Sequence, residues 1–90
     1  MSHTIHEKKK LLKRVRRLKG QVEAIERALE QEKGCYEVLH IVAACRGALN
    51  GLTYEVLGGH VREHLLVPEA GPDTREAAQE LMDTLRSFLK

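Results

Sequence analysis

The sequence predicts an all-α protein whose protomer has two long helices and one short one. Three observations carry that expectation. The frequent residues are Leu, Glu, Ala, Lys, Arg and Val, a helix-forming set, while the aromatics are limited to Tyr36, Tyr54 and Phe88. Apolar residues recur at helical spacing along most of the 90-residue chain. The pattern breaks at Gly- and Pro-containing segments, where helices end. A chain of this length forms one domain, residues 1–90, and at that size it needs a staple or a partner to be comfortably stable.

The first helix is marked by Leu11, Val15, Leu18, Val22, Ile25 and Leu29, whose alternating steps of four and three draw a coiled-coil seam. "QEKGC" interrupts it, with Gly34 suited to a helix end or tight turn. A second seam runs through Val38, Val42, Cys45, Leu49, Leu52 and Val56. It resumes at Val61 and Leu65 after a slip at Gly58-Gly59, so the second helix spans about Cys35 to about Leu66. "VPEAGPDT" is a loop, after which Asp73 or Thr74 caps a third helix carrying Ala78, Leu81, Leu85 and Phe88 or Leu89.

Two long helices, each about 40 Å, cannot hide both seams under one short helix, so the chain is expected to self-associate. The small-residue run "VAACRGALNGL" lets a second copy approach closely. The expected product is an antiparallel, two-fold homodimer, a four-helix bundle with the second helices crossing near Ala48 and Leu49. No apolar run approaches the roughly 20 residues that span a membrane, so a cytoplasmic protein without a membrane partner is expected. In a reducing compartment Cys35 and Cys45 are then free thiols or metal ligands rather than a disulfide.

The formal net charge of +2 conceals an asymmetry. "KKKLLKRVRRLK", residues 8–19, holds eight Lys or Arg and no acid. Lys10, Lys13, Arg14, Arg16, Arg17 and Lys19 lie in this block without interspersed Glu for pairing along the helix. Such a block asks for a polyanion, DNA or RNA, because neutralised phosphates release counterions. Membrane headgroups suit it less, since its apolar residues are aliphatic and no Trp or Phe is present to anchor in an interface.

"GGHVREHLL" places His60 and His64 one helical turn apart, on one face. Two imidazoles do not close a metal site. Cys35 and His60 are about 37 Å apart along one helix and cannot meet within a chain. Across the antiparallel dimer they can, because the register that opposes Cys35 to residue 62 also centres the crossing on the small-residue run. Folding the first helix back on the second through a turn near residues 33–34 brings His3 beside His64. His3, His60 and His64 of one chain thus converge with Cys35 of the other, joined by the Ser2 amine once Met1 is removed, and with Glu63 as an added oxygen ligand or hydrogen-bond partner. Three imidazoles and a thiolate suit Ni(II), Co(II), Zn(II) or copper and not Mg(II) or Ca(II). Cys45 falls on the seam and reads as core. His40 reads as surface, and His6 has no expected partner.

"RRLKGQVEAIERALE", "CYEVLHIVAACRGALNGLTYEVL" and "GGHVREHL" resemble the CsoR/RcnR family of bacterial metal- and aldehyde-responsive transcriptional repressors, over nearly the whole chain. The R-G-A-x-N-G-L core, with Cys35 ahead and His60 behind, is its most specific part. The resemblance implies a dimer of dimers, a flat homotetramer without a helix-turn-helix. Its apo form would bind operator double-stranded DNA through basic residues of the first two helices, and inducer would release it. The copper-sensing branch has a cysteine where this chain has His64, and the persulfide-sensing branch has one at the place of His60. The formaldehyde-sensing branch shares Cys35 but typically has a proline after the initiator Met, where this chain has Ser2-His3. The set His3, Cys35, His60 and His64 is similar to the nickel/cobalt-responsive branch, which implies Ni(II) or Co(II) as inducer and a metal exporter as the controlled gene. Gly34 departs from it, since some members of that branch carry an acid there.

Two other functions compete. The same scaffold could sense formaldehyde through Cys35 and the amino terminus. H-V-R-E-H also matches the H-x-x-E-H motif of a zinc hydrolase, with Glu63 as general base. Against an enzyme, only 26 residues follow His64, too few to build a substrate cleft.

Overall fold

The computed structural model describes residues 3–89. Among them it has four helices and no strand: α1 (His3–His6), α2 (Lys8–Glu30), α3 (Cys35–His64) and α4 (Pro72–Phe88). The all-α class, the two long helices and the short carboxy-terminal one follow the sequence reading. The one-turn α1 is an addition, set off from α2 by Glu7 with φ −100° and ψ 20°. A single turn is too short to leave an apolar period in the sequence.

Gly34 stands at a helix end, as the sequence suggests, but it is not the left-handed residue of the α2–α3 turn. The left-handed residue is Glu32, with φ 55°. The Lys33 N–H donates to the Ala28 carbonyl at 2.9 Å and the Glu32 N–H to the Leu29 carbonyl at 3.1 Å, the two bonds of a Schellman ending. Gly34 is instead extended, with φ −65° and ψ 157°, and stands as the N-cap of α3. Because a side chain in the left-handed region costs about 1–2 kcal/mol, partly offset by the greater freedom of glycine in the unfolded chain, Glu32→Gly is expected to stabilise the fold by roughly 0.5–1 kcal/mol. A rise in thermal midpoint would register it, and a fall would show that the Glu32 side chain contributes more than its backbone strain costs.

α3 continues unbroken through Gly58 and Gly59, both buried, and the slip in its seam marks where α4 docks. Val61, Ala78 and Met82 form the core there, with Tyr54 and Leu66 packed against it. A Cβ built on Gly58 would sit 2.9 Å from Met82 Cε, so the missing side chain makes room for Met82. Arg86 donates to the Tyr54 hydroxyl at 3.0 Å, and Arg75 ties down the preceding loop by donating to the Val67 carbonyl at 2.9 Å. α4 begins earlier than Asp73 or Thr74, with Gly71 at the N-cap and Pro72 in the first turn, where a proline loses no helical hydrogen bond.

The protomer is a slab of 56 × 25 × 9 Å, with α2 and α3 side by side and α4 docked only near the carboxy-terminal end of α3. Leu11, Ala28, Val61, Ala78 and Met82 are the buried apolar side chains among the described residues. The seams remain half open: Val22 is 52% exposed, Leu29 60% and Leu49 49%. Cys45, read as core, is only half-buried within one chain.

Candidate metal ligands and nucleic-acid interface

His60 and His64 lie on the last two turns of α3, both exposed, with ring centroids 4.5 Å apart and planes inclined by 49°. The i,i+4 spacing therefore brings two imidazoles to one place. Cys35 is the first residue of α3, exposed and not in a disulfide, at the opposite end of the helix. Among the described residues no group of three or more His, Cys, Asp or Glu comes together within the chain. That agrees with the separation of about 37 Å that 25 helical residues impose. The His60–His64 pair and the Cys35 thiol thus lie at opposite ends of α3.

The fold-back direction matches the sequence reading, since α1 packs against α3. The Ser2 amine and the His3 side chain lie outside the described residues. Glu63 is half-buried and has an interaction partner of its own. His6 and His40 are exposed, and neither belongs to a cluster among the described residues.

The cationic block forms one side of a groove of about 660 Å³ between α2 and α3. Lys10, Lys13, Arg14 and Arg17 line it from α2, at spacings that keep them on one face. Small residues of α3, among them Gly47 and Gly51, line the other side. The run that suggested close helix approach is therefore also the wall of a basic groove. Arg16 and Lys19 are exposed on α2 but do not line it, because each residue turns about 100° from the last.

Sequence reasoning missed Glu55. The block contains no acid of its own, yet α3 supplies one: Glu55 Oε2 is 3.6 Å from Lys10 Nζ, and Glu55 Oε1 is 3.4 Å from an Arg14 guanidinium nitrogen. The signal was present, since a fold-back that sets residue 3 beside residue 64 also sets Glu55 opposite residues 10–14. Two of the cations read as uncompensated are therefore partly neutralised within the protomer.

The comparisons with known proteins agree with one another. A family model described as metal-sensitive transcriptional repressor matches residues 7–87. An uncharacterised protein encoded in the bioA 5′ region of Serratia marcescens is 57% identical over the full length of both chains. The transcriptional repressor RcnR of Citrobacter koseri is 38% identical, again over the full length of both. Among solved structures, a Glu-to-His variant of the formaldehyde-responsive regulator FrmR from Salmonella enterica serovar Typhimurium superposes with a TM-score of 0.64 at 42% identity. That likeness covers 94% of this chain and 96% of the other.

Proposed function

Because this chain belongs to the family of metal-sensitive transcriptional repressors, we propose that it is a nickel- or cobalt-responsive repressor whose metal-free form holds operator DNA and whose metal-loaded form lets it go. The family is one of repressors and not of enzymes, so the hydrolase reading of H-V-R-E-H is set aside.

The observation that carries the proposal is the division of ligands along α3, with the His60–His64 pair at one end and the Cys35 thiol at the other. An antiparallel partner would unite the two ends, and the half-exposed seams supply the reason to associate. The assembled site would take His3, His60, His64 and the Ser2 amine from one chain and Cys35 from its mate, with Glu63 beside it. Its imidazole and thiolate donors suit Ni(II) and Co(II), and also accept Zn(II) or copper. The dimers pair into a tetramer that presents several copies of the basic groove, and duplex DNA is the polyanion such an array fits. No described helix is long and apolar enough to cross a membrane, which suits a cytoplasmic regulator acting on a chromosomal operator, with a metal exporter as the controlled gene.

The second reading is formaldehyde sensing through Cys35 and the amino terminus. The structural likeness to a formaldehyde-responsive regulator and the exposure of the Cys35 thiol favour it. One titration separates the two. DNA binding to the intergenic sequence upstream of the gene is measured with and without Ni(II), Co(II), Zn(II), Cu(I) and formaldehyde. Release by Ni(II) or Co(II) at stoichiometric metal is the expected result. Release by formaldehyde alone, with a mass increase of the protein, would replace metal by aldehyde as the inducer.

A further inference from the structure

Glu55 holds two cations of the DNA-facing groove in the DNA-free protein. Its contacts at 3.4 and 3.6 Å are longer than the about 2.7–2.9 Å of a tight charge-assisted hydrogen bond, so the clasp is loose. The carboxylate side chain is 20% exposed, at the margin of solvent rather than sealed from it. Arg14 also lies close over the α3 backbone: a Cβ added at Gly51 would come within 3.2 Å of its guanidinium. In this pose Arg14 reaches across to α3 instead of outward, and Glu55 occupies the position between Lys10 and Arg14 that an anionic oxygen would take.

We propose that Glu55 is a built-in competitor for phosphate: duplex binding exchanges its carboxylate for a backbone phosphate on Lys10 and Arg14. The inference rests on the reading of the groove as a DNA contact. Two consequences follow from the exchange. The released carboxylate must be re-solvated and gathers counterions, which lowers both the affinity and the net ion release on binding. The handicap is sequence-independent, so it weakens binding to any duplex and leaves weak encounters short-lived, while an operator that offers further contacts overcomes it.

The test compares wild-type protein with Glu55→Gln by fluorescence anisotropy, on a labelled duplex from the upstream intergenic region and on a scrambled duplex, across a salt series. Glu55→Gln is expected to bind both duplexes about two- to five-fold more tightly per engaged protomer, the range set by an exposed ion pair. The plot of log affinity against log salt should steepen by about one per engaged protomer. Glu55→Asp, which keeps the charge, should fall between the two. In a Lys10→Ala/Arg14→Ala background the gain should vanish, whereas an equal gain there would reduce Glu55 to a general field effect and overturn the exchange. Weaker or unchanged binding by a Glu55→Gln protein with wild-type circular dichroism and thermal midpoint would also overturn it, making the clasp a support for Arg14 instead. If Glu55→Gln does not fold, a Glu55→Asp protein with wild-type affinity and slope has the same force. Failure of the wild type to bind either duplex would remove the repressor reading itself, an outcome distinct from binding that Glu55 does not modulate.

Discussion

Cys35→Ala is expected to abolish metal-triggered release of DNA while leaving the DNA affinity of the metal-free protein nearly unchanged. Cys35 opens α3, exposed and outside the groove lined by Lys10, Lys13, Arg14 and Arg17, so its loss removes the proposed thiolate ligand without touching the cations. The proposed switch requires metal to bind the released conformation more tightly than the DNA-holding one, and a coupling of about 1–3 kcal/mol is typical, or roughly 5- to 150-fold in affinity. The variant should bring that ratio close to one, and the thiolate-to-metal absorption of a Co(II) or Ni(II) complex should disappear. Normal metal-induced release by Cys35→Ala would take the thiol out of the mechanism. Reciprocity supplies an independent check, because operator DNA must weaken metal binding by the same factor. Equal metal affinity with and without saturating operator, at fixed salt, would sink the switch even if both ligands bind.

Lys13→Ala/Arg17→Ala is expected to give the largest loss of DNA affinity among substitutions that leave the fold intact. Both residues line the groove, and neither is held by Glu55, so their charges are available to phosphate without exchange. Each phosphate contact contributes about 0.9 to the slope of log affinity against log salt. With two protomers engaged, the double variant should flatten that slope by about 3.6, so its deficit against wild type shrinks on the order of 100-fold between 50 and 200 mM salt. Arg14→Ala should cost less than Arg17→Ala, since Arg14 gives up Glu55 to reach the duplex. A parallel shift of the salt curves, without change of slope, would mean that these side chains do not meet phosphate.

Several features are legible in the sequence because they are periodic or local. The heptad steps from Leu11 to Leu29 and from Val38 to Val56 are long enough to specify two helices, and they do so at α2 and α3. The His60–His64 spacing brings two rings together wherever that helix sits. The cationic block needs no fold to declare a polyanionic partner, and the partition of Cys35 and His60 to opposite ends of one helix is arithmetic on the helical rise.

Other features depend on which residues the chain brings into register across space. A left-handed Glu32 was invisible because Gly34 stood nearby as the conventional candidate, while the hydrogen bonds from Lys33 and Glu32 determine where the helix ends. The Gly58-Gly59 slip looked like a flaw in a seam until Met82 of α4 occupied the space that a Cβ would need. Glu55 read as one acid among many, and only its position opposite Lys10 and Arg14 turned it into their counter-ion. The sequence by itself determined the helices, the charge and the pairing of His60 with His64, because these follow from composition and period along one chain. Tertiary structure decided which cations are already engaged and which face of α3 is covered: the fold-back register sets Glu55 opposite residues 10–14, but only the angle at which the helices pack brings its carboxylate to Lys10 and Arg14 and seats α4 on α3.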